Sequence, residues 1–264
     1  MKILILTFLL TSSFFAKDFS TRYDINVDMF GKVGYADITL KENGDTYEAK
    51  LIAKTVDIAA TLLGNRVETF TSKGKIINGK YIPDIFIKTK TSTRKSRQQT
   101  YHFDHDKQKI TLIEKKSKLV SSTKFNPRKF KVTSKDVEKK SSKEIILEEY
   151  TGDDVLSSYL NTQARCNSDQ KQYNLLAIGA YNNKNDVTLS YLDGLQKISA
   201  NSNFTKNTQN IYNLHVKPID KDENTVDILI AFDNDGIVKE ALLGEIFWIG
   251  KITAKRVYHK VTLN

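Results

Sequence analysis

At 264 residues the chain is long enough to bury a sizeable core, as one large β domain or two small ones. A charged fraction of 27% with only 3 Pro is the composition of an ordinary globular protein and excludes a disordered chain. The formal net charge of +10 and a pI near 9.3 favour polyanionic partners without choosing among them.

Lys2, the apolar run from Ile3 to Leu10, then Thr11, Ser12, Ser13 and Phe14-Phe15-Ala16 follow the order of a secretory signal peptide. The run is shorter than the roughly 20 apolar residues of a membrane-spanning helix. Residues 1–16 are therefore expected to be a cleaved signal peptide, with cleavage after Ala16 or after Ser13 left open. Residues 17–264 are expected to form a single mainly-β periplasmic domain that is not an integral membrane protein after processing. Export makes nucleic acid an unexpected partner despite the basic pI. Cys166, the single cysteine, has no intramolecular disulfide partner and reads as a structural thiol.

Tyr23, Ile25, Val27 and Met29 alternate with Asp24, Asn26 and Asp28, the period-2 pattern of a half-buried strand. With Gly31-Lys32 as a two-residue turn, Tyr23 pairs with Leu40, Ile25 with Ile38 and Val27 with Ala36. With Asn43-Gly44 as the next turn, Leu40 pairs with Tyr47, Ile38 with Ala49, Ala36 with Leu51, and Asp37 faces Lys50. Ile25, Ile38 and Ala49 then form one row, and Tyr23, Ile25, Val27, Ile38, Leu40, Tyr47 and Leu51 are candidate concave-face residues. Residues 58–64 read as a short helix with an Asp57 cap and a Gly64 stop.

Arg66–Ile77 and Lys80–Thr91 form a hairpin around Asn78-Gly79, with Phe70, Ile76, Tyr81, Ile85 and Ile87 expected on one face. Tyr101 and Phe103 pair with Ile110 and Leu112 across a turn near Asp106–Gln108. From Lys116 to Lys143 there are ten Lys or Arg against two Asp or Glu. Phe125, Phe130 and Val132 mark part of this stretch as strand, and the Lys- and Ser-rich run after it, up to Ser142, as an exposed loop. A helix over about 154–163 follows, with Asp153 and Asp154 before it and Val155, Leu156, Tyr159 and Leu160 as its apolar stripe. Tyr173–Ala180, Val187–Leu192, Ile211–Val216, Val226–Phe232 and Phe247–Val257 are candidate strands, separated by turns that include Asn182–Asp186 and Asp233–Gly236.

Several of these features together resemble the domain-of-unknown-function 3108 (DUF3108) family of exported bacterial proteins. They are Tyr23-Asp24-Ile25 with Gly31 and Val33-Gly34, the Asn43-Gly44 hairpin ending in Tyr47, and Ser72-Lys73-Gly74 followed by Pro83. Tyr101-His102-Phe103-Asp104 and Asp153-Asp154-Val155-Leu156-Ser157 complete the set, so the resemblance spans nearly the whole mature chain. Gly236-Ile237-Val238-Lys239 departs from the family pattern, which often places Pro after the acidic turn. The resemblance implies a mainly-β fold: a large antiparallel sheet curled into an open or half barrel with two short helices, like a periplasmic lipoprotein carrier. It carries over no catalytic residue.

His102, Asp104 and Asp106 share one side of a strand, but their spacing matches no established zinc pattern and fits a solvated hairpin tip better. Asp153 and Asp154 stand where capping and dipole compensation are expected. Asn203-Phe204-Thr205 matches the glycosylation tripeptide, a short pattern common by chance. Trp248, beside Phe247 and Ile249, reads as core. No G-x-S-x-G elbow, Gly-rich phosphate loop, cofactor motif or locally paired acid and base occurs, so a non-enzymatic protein without cofactor or metal is expected. Lys124, Arg128, Lys129 and Lys131 flank Phe125 and Phe130 and form a candidate anionic-ligand patch, suited to a phosphorylated lipid headgroup or an acidic glycan. The expected function is to bind or carry a hydrophobic or anionic envelope molecule in a concave sheet. The alternatives are an assembly or scaffolding factor acting through envelope proteins and, more remotely, a glycan- or lipid-modifying enzyme.

Overall fold

Short turns between alternating strands leave successive strands to pair with one another. The structure, a computed structural model, describes residues 17–128, 130–163, 171–179, 185–204, 210–216, 226–234, 236–246 and 250–263. Its strands are β1 (Lys17–Val27), β2 (Gly31–Asn43), β3 (Thr46–Thr55), β4 (Val67–Ile77), β5 (Lys80–Ser92), β6 (Lys95–Asp104), β7 (Lys109–Asn126) and β8 (Lys131–Ile146). They continue with β9 (Gln172–Ala177), β10 (Asn185–Tyr191), β11 (Asn210–Val216), β12 (Val226–Phe232), β13 (Val238–Ile246) and β14 (Gly250–Leu263). The helices are α1 (Asp57–Leu62), α2 (Val155–Gln163) and α3 (Gly194–Asn201).

All fourteen strands belong to one sheet, in the order β8-β7-β6-β5-β4-β3-β2-β1-β14-β13-β12-β11-β10-β9. This is an up-and-down barrel order opened between β8 and β9, because β1 pairs with β14 and those two edges do not pair. α2 lies between β8 and β9 in the chain and packs on β3, β4, β5 and β9, inside the curl. The expected open antiparallel half barrel is therefore present.

The main core lies under α2, where Leu40, Tyr47, Phe86, Tyr101, Ile110 and Leu112 meet Leu156 and Leu160. Beyond β14 both sheet faces are covered. Tyr173, Leu189, Tyr212 and Phe232 pack with Tyr159 of α2, and Ile211, Ala231 and Leu242 pack with Ala200 and Phe204 at α3.

The turns correct two registers. The β2–β3 loop is Gly44-Asp45, so Asn43 pairs with Thr46, Leu40 with Ala49, Ile38 with Leu51 and Ala36 with Ala53. The β1–β2 loop is Asp28–Phe30, followed by Gly31 at φ +67, so Leu40 pairs with Phe19, Ile38 with Thr21 and Ala36 with Tyr23. The Phe30 N–H donates to the Val27 carbonyl at 3.0 Å, the bond of a tight turn whose next residue takes positive φ. Up to Ile25 the registers move by two and by four residues, and even shifts keep those side chains on their faces; beyond a bulge between Ile25 and Asn26 the β1–β2 shift is five, and Val27 pairs with Gly31. The row of Ile38 is thus Thr21, Ile38, Leu51 and Phe70.

The β4–β5 turn at Asn78-Gly79, with φ of +52 and +74, is as expected, as is the Tyr101–Leu112 and Phe103–Ile110 pairing. A bulge in the same hairpin overturns part of the face assignment. Gly74 pairs with Pro83 and Lys73 with Ile85, so Asp84 is an extra residue that reverses the alternation beyond it. Phe86 and Lys88 therefore join Phe70 on the core side, while Ile85 and Ile87 turn to the other face.

Other corrections concern element limits. Asp57 is not the cap of α1: the cap position is Val56, no side chain caps it, and Asp57 has φ +50. The Lys- and Ser-rich run up to Ser142 is not a loop but the exposed strand β8, paired with β7 along its whole length. α3 and β13 are additional elements. The expectations for residues 1–16, Lys129, Cys166, Thr205, Trp248 with its neighbours, and most of the Asn182–Asp186 turn lie outside the described residues.

A Cβ on Gly74 would stand 1.9 Å from the Ile82 carbonyl oxygen and 2.8 Å from Pro83 Cα, both backbone atoms that cannot step aside. Gly74→Ala is expected to lower unfolding stability by roughly 3 kcal/mol or more, read as a lower urea midpoint. Gly44→Ala, in open space at φ +61, should cost only about 1–2 kcal/mol.

Candidate functional site

The site is built by α2 on the concave face. The Leu156 and Ser157 N–H groups donate to Asp154 Oδ1 at 2.7 and 3.1 Å, so Asp154 caps the helix as expected. Its other oxygen accepts from Ser72 Oγ on β4 at 2.5 Å, and Ser72 is 2.8 Å from the Tyr47 hydroxyl on β3. Its backbone forms a parallel bridge with Ile178, just after β9. Asp154 is fully buried, and burial pushes its carboxyl up to about 6 against the bonds from Ser72, Ser157 and Leu156. Asp153 Oδ1 accepts from Asn161 Nδ2 at 3.0 Å. Asn161 also joins β5, accepting from the Tyr81 N–H at 2.9 Å and donating to its carbonyl at 3.1 Å.

Between this helix and the sheet lies a cavity of about 510 Å³. Ile25, Ala36, Ile38, Leu51 and Phe70 form its sheet wall, Val155, Leu156 and Tyr159 its helix wall, and Val238 and Ala254 its far side. Tyr23, also in the wall, donates its hydroxyl to the Val238 carbonyl at 2.8 Å, tying β1 to β13. Lys88 is the only charged side chain among the described residues that line the cavity. Its ammonium donates to the Gly179 carbonyl at 3.1 Å and stands 5.3 Å from the centre of the Phe70 ring. Burial lowers the Lys88 ammonium below the ordinary lysine value, against the raising effect of Glu68. An apolar chamber with one cationic point can hold an apolar chain and fix one anionic end.

Of the concave-face candidates, Tyr23, Ile25, Ile38 and Leu51 line the cavity, and Leu40 and Tyr47 are buried in the core beside it. Val27 is buried on the same strand but does not line it. Lys88 escaped the sequence reading because the extra residue Asp84 reversed the alternation. The Ser72-Lys73-Gly74 and Pro83 pattern was the available signal of an irregular strand.

The basic patch lies elsewhere. Lys124 and Lys131 sit near the free end of the β7–β8 hairpin and Arg128 in its turn, apart from the cavity. Phe125 and Phe130 are exposed there, with ring centres 6.3 Å apart. His102 and Asp106 are exposed, and Asp104 accepts from the Lys107 backbone N–H at 3.1 Å and from its ammonium at 2.8 Å. His105 bridges the Tyr150 hydroxyl and the Pro83 carbonyl, at 2.5 and 2.7 Å. Among the described residues no group of three or more His, Cys, Asp or Glu could hold a metal ion. No helix among them is long and apolar enough to cross a membrane.

Residues 22–124, from within β1 to most of β7, match the DUF3108 family, described as a protein of unknown function, in support of the resemblance over that segment. The Asp153–Ser157 part of the resemblance lies beyond the matched segment. Among solved structures the chain is similar to a beta-barrel-like protein of the domain of unknown function DUF1849 from Brucella abortus. That likeness has 11% identity and a TM-score of 0.45, covering 93% of this chain and 98% of the other. No curated protein matches the chain in sequence.

Asp154 makes stability depend on pH with a defined sign. With its carboxyl raised from 3.8 to about 6 on folding, its contribution is fully present below about pH 4 and is lost as pH rises to about 6. Asp154→Asn keeps a capping oxygen and cannot ionise, and Ser72 can reorient to accept from the new amide. Relative to wild type, the variant should gain about 3 kcal/mol of unfolding free energy between pH 4 and pH 7 in urea titrations. A difference that stays flat over that window would refute the assignment.

Proposed function

We propose that the chain is an exported, periplasmic binding protein that holds the acyl part of an amphiphile in the α2 cavity and its anionic headgroup at Lys88. The observation that carries this reading is the cavity's composition: apolar walls interrupted by one partly desolvated ammonium. Its volume falls within the roughly 300–1,000 Å³ of small-molecule sites. The basic start, apolar run and small-residue end of residues 1–16 support export. The reading is non-enzymatic: the buried carboxylate at the site is engaged by Ser72 and by the α2 backbone.

Mass spectrometry of organic extracts from the native protein is expected to show a co-purifying anionic lipid or fatty acid. In titrations with a fluorescent long-chain fatty acid, Lys88→Gln should weaken binding roughly tenfold or more through loss of a charge-assisted bond. Affinity for the matching long-chain alcohol should barely change. Leu51→Trp, which puts an indole into the chamber, should weaken binding of both. A clean extract together with no fatty-acid binding by the wild type would overturn the reading.

A further inference from the structure

β6 begins at Lys95, which pairs with Lys118, and beyond that row β7 and β8 pair as strands only with each other, with Arg94 of the β5–β6 turn bonding Leu119, Ser121 and Asp136 at the ribbon's base. The pairs from Leu119–Glu138 to Asn126–Lys131 form a two-stranded ribbon that projects about 26 Å from the sheet at 3.3 Å per residue. Isolated two-stranded ribbons are marginal in water, so a surface that covers this one would stabilise it.

The register sorts its side chains sharply by face. One face carries Lys118, Lys124, Lys131, Lys135 and Lys139, with Lys118 directly opposite Lys139. It carries no carboxylate. Asp136 and Glu138 point to the other face, where Asp136 pairs with Arg94 at 2.9 Å and Glu138 with Lys140 at 3.1 Å. At the tip, Phe125, on the face of Asp136 and Glu138, is 58% exposed and Phe130, in the turn, 88%.

A second observation concerns the same end of the sheet. Antiparallel order puts the ribbon, the β1–β2 turn and α1 on one rim. Met29 and Phe30 of that turn and Ile58 and Leu62 of α1 are also exposed. A soluble polyanion would answer the lysines and leave Phe125 and Phe130 at the tip uncovered. An anionic bilayer answers both, since its headgroups attract lysines while its interface accepts apolar side chains.

We infer that the β7–β8 ribbon is a docking arm for the surface of a bilayer rich in anionic phospholipid, entering end-on, with Phe125 and Phe130 at its tip in the interface and the lysines nearest the tip, Lys124 and Lys131, meeting the headgroups. The arm is independent of what the α2 cavity holds.

The test is co-sedimentation of the full chain with vesicles of phosphatidylcholine plus phosphatidylglycerol, and with vesicles of phosphatidylcholine alone. Wild type should bind the anionic vesicles, release them at high salt and bind the neutral ones at least tenfold more weakly. Phe125→Ser with Phe130→Ser, and separately Lys124→Glu with Lys131→Glu and Lys135→Glu, should each weaken anionic-vesicle binding about tenfold or more. Both sets lie outside the packed sheet and should keep the wild-type thermal midpoint. Should the reversal perturb folding, Lys124→Gln with Lys135→Gln gives a milder version with a smaller loss. Absence of wild-type binding, or binding indifferent to either set, overturns the inference. Retention on heparin that needs the lysines, with vesicle binding that ignores both phenylalanines, would also overturn it in favour of a soluble polyanion.

Discussion

The buried Asp154 carboxylate joins three parts of the chain that are distant in sequence. It caps α2, accepts from Ser72 on β4, and its backbone bridges Ile178 after β9. A helix of nine residues is too short to be stable alone, so α2 depends on these attachments and on Asn161, which bonds the β5 backbone at Tyr81. An open sheet with an apolar concave face needs such a cover. α2 supplies it over β3, β4 and β5, and the chamber lies between α2 and wall residues of β1, β2, β13 and β14, including Tyr23, Ile25, Ala36, Val238 and Ala254. The cavity is therefore a consequence of where the helix is fastened.

That fastening is also costly to the carboxylate. Full burial raises its affinity for a proton, while three donors hold the charged form. A capping residue with less exposure to the core would stabilise the helix without this penalty. Here the same oxygen atoms must reach both the helix terminus and β4, and burial follows from that geometry.

Much of the sheet was legible because alternation reports parity. The loops at Gly44-Asp45 and Asp28–Phe30 differ from the expected turns, yet Tyr23, Ile25, Ile38 and Leu51 still reach the cavity because the register changes are even. Parity fails at a bulge, and the single extra residue Asp84 exchanges Ile85 and Ile87 for Phe86 and Lys88. Local composition misled elsewhere. Glu240-Ala241-Leu242-Leu243 lacks β-branched residues and becomes strand only between β12 and β14. In α3, Leu195 and Ile198 face outward while Ala200 is buried, so its apolar residues do not mark its packed face. The lysines of β8 read as loop residues because nothing local shows that β7 continues far enough to pair with them.

Charge is handled differently at the base of the ribbon and along its length. At the base Glu114 is buried; burial would raise its carboxyl, but the bonds from Lys116 and Arg97 outweigh this and hold it below the ordinary glutamate value. Arg97 Nε donates to it at 2.8 Å. Past this cluster the same face has lysines and no acid, although Asp136 and Glu138 are only a residue or two away in sequence. Placed on that face, either acid would relieve the Lys118–Lys139 opposition, which costs stability in a strand pair. Instead they neutralise the face that already bears Arg94 and Lys140. Solubility alone does not require this sorting, because interspersed charges keep a surface soluble without repulsion between facing strands. The segregation is intelligible if one face of the ribbon meets a negative surface that supplies the missing charge.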